Sequence, residues 1–314
     1  MLDILTITLN PAIDQTVYID SFQVDKVNRI KSVQNDAGGK GVNVASYLSS
    51  SNLKVGATGF LGEKNSLVFE ELFSGLNIEN SFVYLSEDTR TNIKVVDLEE
   101  NSVTDLNQAG FEISEENLLK LEEELFSSKK ANWYVFSGSL PKGVSSDIYE
   151  KWIEKCKDLD IKVALDASGE ALEKALKAKP NLIKPNNFEL SELQSCKQLL
   201  EIDDIINCGK KLVGDGIDTV CISLGKDGSI IVNKDECFHA LASNAEVKTT
   251  VGAGDALLSG LILGEIEELC LDKSIKRATA YSLSALKTVG PYLSSKKELE
   301  KLSNDVKVIS ISNK

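Results

Sequence analysis

A chain of 314 residues that is 42% hydrophobic and 26% charged is globular in composition, with room for one large α/β core or two domains. Its 35 basic and 48 acidic residues leave a net charge of −13, which disfavours nucleic acid and anionic membranes as partners; an anionic ligand would need a local cationic pocket. The single histidine, His239, leaves Ser-His-Asp, Cys-His and histidine-rich metal chemistry to one residue; with no nucleophile motif beside it, it reads as an ordinary strand residue.

The first segment, MLDILTITLNPAID, is a strand-like apolar run without a basic leader or a small-residue cleavage site. No run approaches the ~18 apolar residues of a membrane span, so a cytoplasmic protein is expected. Further β-rich runs follow at 54–60, 132–136, 161–166, 181–184 and 217–224. Between them the apolar residues take helical spacing at 41–50, 64–75, 114–127, 145–158, 169–178, 187–200 and 203–213. A short strand region at 228–247 and helices at about 254–266 and 272–288 complete the pattern. Strand and helix in alternation predict a mostly parallel sheet with helices on both faces. Two stretches break the rhythm, 14–35 and 89–107, where apolar and polar residues alternate with no helix between. They predict a small projecting sheet of antiparallel strands, a candidate lid or dimer surface. The cysteines at 156, 196, 208, 221, 237 and 270 form no CxxC pair and read as small buried residues of a reducing compartment.

Three groups of residues carry chemistry. In TTVGAGDALLSG at 249–260, a glycine turn opens an apolar helix. Such a turn exposes backbone N–H groups at the positive end of the helix dipole, a place for a phosphate, and Asp255 sits beside it to take a proton from a hydroxyl. The plainer reading is a tight turn with Asp255 as a helix cap. In NDAGGKGVNVASYL at 35–48, glycines again precede a helix, now with Lys40 in the turn and Asn43 one turn in. The order is neither GxxxxGK[ST] nor GxGxxG, and a Rossmann dehydrogenase would want the latter where TLNPAID stands. A third set falls at apparent strand ends: Asn10 and Asp14, Arg90 and Lys94, Asn107, Ser139, and KPNNFE at 184–189. Ligands of open α/β sheets bind beyond the carboxyl ends of the strands, so Asp14 could meet sugar hydroxyls while Arg90 with Lys40 or Lys94 neutralises a phosphate.

Taken in order, TLNPAID, GGKGVNVA, SGSLP, KPN followed by Glu189, SLG and TVGAGDA resemble the ribokinase/PfkB sugar kinases, in particular their hexose-phosphate branch, over nearly the whole chain. The resemblance implies a ribokinase-like three-layer α/β/α fold, a single kinase domain over 1–314, and lid strands from about 14–35 and 89–107. It implies ATP-dependent phosphorylation of fructose 1-phosphate to fructose 1,6-bisphosphate, with tagatose 6-phosphate or fructose 6-phosphate as alternative acceptors and a non-catalytic sugar-phosphate sensor as a remote one. Asp255 would be the base, with the amides of Gly252, Ala253 and Gly254 as the anion hole. Asp14, Gly38, Gly39, Lys40, Asn43, Arg90, Lys94, Asn107 and Ser139 would hold the sugar phosphate. Lys184, Asn186, Ser223, Gly225, Gly228, Thr249, Thr250 and Val251, with Gly252 and Gly254, would line the ATP site, and Glu189 would organise Mg2+ through water. The implied partners are a sugar phosphate and MgATP, with a homodimer through the lid sheet. In one departure Ala256 follows the catalytic Asp where this branch often has Ser; the base and both glycines remain. Arg29, in the lid stretch, is a weaker correspondence.

Overall fold

The computed structural model describes residues 1–100, 102–195, 201–241, 251–288 and 290–311. The chain opens in β1 (Leu2–Thr8), leaves the main sheet for β2 (Ala12–Ile19) and β3 (Ser32–Gly38), and returns in α1 (Lys40–Ser49) and β4 (Val55–Gly62). After α2 (Leu67–Gly75), the short strands β5 (Glu79–Asn80) and β6 (Val83–Leu85) both pair with β4. A second excursion makes β7 (Thr91–Asp97) and β8 (Ser102–Leu106). The chain then alternates through α3 (Glu115–Phe126), β9 (Ala131–Ser137), α4 (Ile148–Asp158), β10 (Lys162–Asp166), α5 (Gly169–Lys177) and β11 (Leu182–Ile183). Next come α6 (Asn187–Leu193), α7 (Ile202–Gly214), β12 (Thr219–Ser223), β13 (Ser229–Asn233) and β14 (Cys237–Leu241). The last elements are α8 (Ala253–Ile266), α9 (Leu271–Lys287), α10 (Lys296–Asp305) and β15 (Lys307–Ser310).

The main sheet has the order β15-β14-β13-β12-β11-β10-β9-β1-β4-β5, parallel from β12 to β5 and antiparallel beyond β12. Its strands are buried on both faces, as a parallel sheet between helix layers requires. On β9, Tyr134 and Phe136 face a cluster with Leu121, Trp152 and Leu172 from α3, α4 and α5, while Trp133 and Val135 face Val42, Phe69, Leu261 and Ile275 from α1, α2, α8 and α9. The mostly parallel α/β/α architecture expected from the periodicity is therefore present.

Helix α8 is the innermost. From Asp255 to Gly264 every residue is buried, and the helix is apolar all round, the character of a helix enclosed on every side. Its partner α9 comes close because two positions lack side chains. A Cβ on Gly260 would lie 2.5 Å from Ala278 Cα, and one on Gly264 would collide with Ser274 Oγ.

The small sheet has the order β3-β2-β7-β8. Its outer pairs are antiparallel as expected, but β2 and β7 run parallel. The reason lies in the main sheet: β1 and β6 both run parallel to β4, so the chains that leave their carboxyl ends enter the lid in the same direction. Three further differences appear. The helical pattern at 187–200 forms α6 only to Leu193, and 196–200 lie outside the described residues. The pair α10 and β15 was not foreseen. Cys156, Cys221 and Cys237 are buried, but Cys208 is half-buried and Cys270 exposed; Cys196 is outside the described residues. His239 lies on β14 and its Nε2–H donates to the Asp227 carbonyl at 2.9 Å, a strand residue as expected. No helix among the described residues is long and apolar enough to cross a membrane.

Gly260→Val should lower stability by about 2 kcal/mol or more, because backbone of α9 must move to admit it. Gly75→Ala, where nothing lies within 4 Å of the added Cβ, should be neutral or raise it by roughly 0.5–1 kcal/mol. Urea midpoints at unchanged m-value would check both.

Candidate active site

Between the carboxyl ends of the parallel strands and the lid lies a cavity of about 610 Å³. It is lined by residues from all three motif groups, including Asp14, Lys40, Asn43, Arg90, Lys184 and Asp255. Gly39, Lys94, Asn107, Ser139, Asn186, Ser223, Val251, Gly252 and Gly254 also line it. Gly38, Glu189, Ala253, Gly225 and Gly228 do not reach its wall. Thr249 and Thr250 fall outside the described residues.

The glycine turn at the start of α8 has Gly252 at φ 81°, where a Cβ would press on Tyr47 Oη, so this position needs glycine on two counts. No side chain caps the turn. Asp255 is thus not a cap. It lies in the first turn of α8, is 6% exposed, and its Oδ2 accepts a 2.8 Å bond from Asn43 Nδ2. Burial, reinforced by the nearby Asp166 charge, pushes its carboxyl up to about 6, against the pull of Asn43, Lys40 and Lys184. The same burial and the Asp255 charge push the Tyr47 hydroxyl up.

Asp166, the last residue of β10, was not among the sequence candidates, yet it organises this region. Its carboxylate is 1% exposed and meets Lys40 Nζ at 2.8 Å on one oxygen and Lys184 Nζ at 3.1 Å on the other. Lys40 begins α1 and Lys184 follows β11, so one carboxylate joins the two halves of the cavity. A Cβ on Gly254 would lie 3.3 Å from Lys184 Nζ, which puts that ammonium against the α8 turn. Burial works against the charged form of both Lys40 and Asp166. The pairing prevails: Asp166 falls below the ordinary carboxylate range and Lys40 rises above the ordinary lysine value. The only general signal for Asp166 was a carboxylate at the end of a parallel strand.

On the lid side, Asp14 lies directly opposite both Asp36 and Asn92, and Asn92 Nδ2 donates to its Oδ1 at 3.2 Å. Gly38 makes room for it, since a Cβ there would collide with Asp14 Oδ2. Burial raises the Asp14 carboxyl, with Asn92, Lys94 and Arg90 pulling the other way. Both Asp36 oxygens accept from Gln34 Nε2, at 3.1 and 2.9 Å. Lys94 stands opposite Asp105 in register, and both line the cavity. The buried oxygens Thr8 Oγ1, Asn10 Oδ1 and Asn92 Oδ1 have no hydrogen-bond partner and belong to residues of the same wall. Three such orphaned oxygens on the wall of one cavity are groups that a bound polar ligand can satisfy.

At the other end, Asn186 and Glu189 form a reciprocal capping box on α6: Glu189 N–H donates to Asn186 Oδ1 at 2.9 Å and Asn186 N–H donates to Glu189 Oε2 at 2.8 Å. Burial raises the Glu189 carboxyl. Asn186 bridges to Ser223, and the turn after β12 uses Gly225 and Gly228 at φ 61° and 87°. Among the described residues no three His, Cys, Asp or Glu side chains cluster as a dedicated metal site.

The two buried aspartates are pushed in opposite directions, and this has a measurable sign. For Asp255, between the free value of 3.8 and about 6 the folded chain holds a proton that the unfolded chain has lost. Its cost is therefore fully present above that window and is relieved as pH falls through it. Asp255→Asn should raise stability at pH 8 by up to about 3 kcal/mol, a gain that disappears by pH 4. Asp166 contributes stability that is present above the free carboxylate value and lost only in stronger acid. Asp166→Asn should lower stability at pH 8 by roughly 3–5 kcal/mol, as removal of one partner from a buried pair does. Urea titrations of both variants across pH would check the opposite signs.

Residues 7–298 match the pfkB family of carbohydrate kinases. The chain is 36% identical over 309 residues to the 1-phosphofructokinase of Rhodobacter capsulatus, covering 98% of each chain. It is 36% identical over 289 residues to the 1-phosphofructokinase of Escherichia coli K12, covering 90% of each. The solved structure of E. coli phosphofructokinase-2 in complex with fructose-6-phosphate superposes with a TM-score of 0.88 at 26% identity, covering 97% of this chain and 99% of that one. A family match over nearly the full length, on a fold and cavity of this kind, makes the chain a member of the pfkB family of carbohydrate kinases.

Proposed function

We propose that this kinase transfers the γ-phosphoryl group of ATP to fructose 1-phosphate, giving fructose 1,6-bisphosphate and ADP, with residues 1–314 acting as one kinase domain. The observation that carries the mechanism is the Asp255 carboxylate, buried beside the uncapped glycine turn of α8. The names of the relatives that align along nearly the whole chain support the acceptor.

In this mechanism the acceptor's primary hydroxyl donates its proton to Asp255, and the hydroxyl oxygen forms a bond to the γ-phosphorus. The bond from that phosphorus to the β–γ bridging oxygen breaks, and ADP leaves with the electron pair. The amides of Gly252, Ala253 and Gly254 receive the equatorial oxygens, and Lys40 and Lys184 offset their charge. Asn43 holds Asp255 in orientation through its 2.8 Å bond. Asp14 with its partner Asn92 holds sugar hydroxyls, next to Gly38, Gly39 and Ser139, while Lys94, Arg90 and Asn107 face the existing phosphate. Asn186, Ser223, Gly225, Gly228 and Val251 shape the nucleotide side. The absence of a three-ligand cluster among the described residues fits Mg2+ carried on the nucleotide phosphates. Glu189, fixed by its capping box, would hold the ion through water, where the ion supplies charge neutralisation.

A second acceptor is favoured by one finding: phosphofructokinase-2, with closely similar architecture, is solved with fructose-6-phosphate. Tagatose 6-phosphate is the remaining candidate. A sensor without activity would be expected to lack the acid at 255. We also propose a homodimer through the lid, because Val33 and Leu106 on its outer face are 48% and 53% exposed. Leu106→Glu should then shift sedimentation from dimer to monomer; a wild-type monomer would end that reading.

ADP release assayed with fructose 1-phosphate, fructose 6-phosphate and tagatose 6-phosphate should give the highest kcat/KM for the first. Asp255→Asn should lower kcat by about 10²–10⁴ with KM for the sugar phosphate nearly unchanged. Because the base must be ionised, wild-type turnover should fall as pH drops below about 6. Unchanged turnover in the variant would refute the assignment of the base.

A further inference from the structure

The chain crosses four times between the main sheet and the lid: at Leu9–Pro11, Gly38–Gly39, Asp88–Arg90 and Asn107–Gly110. The third crossing is fixed to the core. Thr89 is 1% exposed, its Oγ1 accepts from Gly62 N–H at 2.8 Å, and its backbone exchanges bonds of 2.7 and 2.8 Å with the Asn65 side chain. From this anchored point the Arg90 side chain spans two other crossings. Its Nε donates to Pro11 O at 3.2 Å, Nη2 to Asn10 O at 3.0 Å and Nη1 to Gln108 O at 2.8 Å. The Arg90 carbonyl accepts from Ile13 N–H at 2.8 Å, and Gln108 Oε1 accepts from Thr91 N–H at 2.9 Å. Asn10 extends the junction, donating through Nδ2 to Ala109 O and to Ser139 Oγ, both at 3.2 Å. Gly110, at φ 93°, allows this closeness: a Cβ would collide with Asn10 Oδ1 and lie 3.2 Å from Arg90 Cδ.

Three of the five guanidinium donors therefore serve carbonyls at crossings where the strands have ended and no ladder partner remains. A cation present only to attract an anion would gain nothing from that arrangement. We propose that Arg90 is a positioning residue: it brackets the lid crossings, holds the lid at a set angle over the cavity before any ligand arrives, and links that angle through Asn10 to Ser139. The planar fork is what reaches three carbonyls at once. A lysine in its place keeps the charge but cannot span them.

Its consequence for catalysis rests on the kinase reading; its consequence for the free protein does not. The test is hydrogen exchange on the ligand-free full chain, wild type against Arg90→Lys. The lid amides of β2 and β7 should exchange about tenfold faster in the variant, while those of β1, β9 and β10 stay unchanged. In steady state, KM for the sugar phosphate should rise about tenfold, with KM for ATP within about twofold. Lid exchange identical to wild type in Arg90→Lys would overturn the proposal, whatever the kinetics. Should that variant lose core protection too, Asn10→Ala, which removes the bonds to Ala109 and Ser139 from the same junction, is read instead. Faster lid exchange there supports the bracket, and unchanged lid exchange overturns it. A wild-type protein without turnover would sink the kinase reading and leave the exchange result standing.

Discussion

The cavity depends on one buried arrangement, the Asp166 carboxylate gripped by Lys40 and Lys184. Burying the charges of Asp166 and Lys184, with Lys40 only partly covered, is costly, and such clusters seldom add net stability over apolar residues of the same size. What this one supplies is position. It fixes two ammonium groups from different parts of the chain at the mouth of α8, inside a protein whose overall charge of −13 repels anionic ligands. Its carboxylate adds to the burial that raises the Asp255 carboxyl, while its two ammonium groups pull the other way. Two carboxylates in one cavity thus take opposite characters from their surroundings: Asp166 is held ionised by its lysines, and Asp255 is poised to gain and release a proton.

The fold supports this cluster from below. Lys40 opens α1, Lys184 directly follows β11, and Asp166 ends β10, the strand next to β11 in the sheet. Helix α8 is buried through most of its length, so Asp255 cannot drift from the turn it follows. From above, the lid presents Asp14, Asn92 and Lys94 on the face toward the cavity and its apolar residues on the other. The main sheet and the lid sheet thus supply opposite walls of one cavity. In the proposed mechanism the main-sheet wall meets the transferring phosphoryl group, and the lid meets the sugar hydroxyls and the phosphate the sugar already carries.

Much of the core was legible because buried parallel strands are continuous apolar runs and their helices carry a clear 3.6-residue stripe. The tail was not. In α10, KKELEKLSND has only Leu302 buried, and β15 is four residues on a sheet edge, so neither offers a period to read. The parallel pairing of β2 with β7 was equally hidden, since it joins residues 78 apart whose local alternation is the same in either direction. In the site, glycine turns announced Asp255, Lys40 and Asn43. Asp166 closes an ordinary strand run, IKVALD, and its role exists only once Lys40 and Lys184 converge on it. Arg90 was legible as a cation at a strand end, but not that its donors serve three backbone carbonyls, because carbonyl positions leave no trace in a sequence.

A crystal structure with a non-hydrolysable MgATP analogue and fructose 1-phosphate bound together addresses the central claim directly. The terminal phosphate should lie at the turn formed by 252–254, its oxygens about 2.7–3.1 Å from the amide nitrogens. The sugar's free primary hydroxyl should stand about 3 Å from Asp255, with Lys40 and Lys184 still joined by Asp166. A terminal phosphate bound elsewhere, with that hydroxyl turned away from Asp255, would contradict the account.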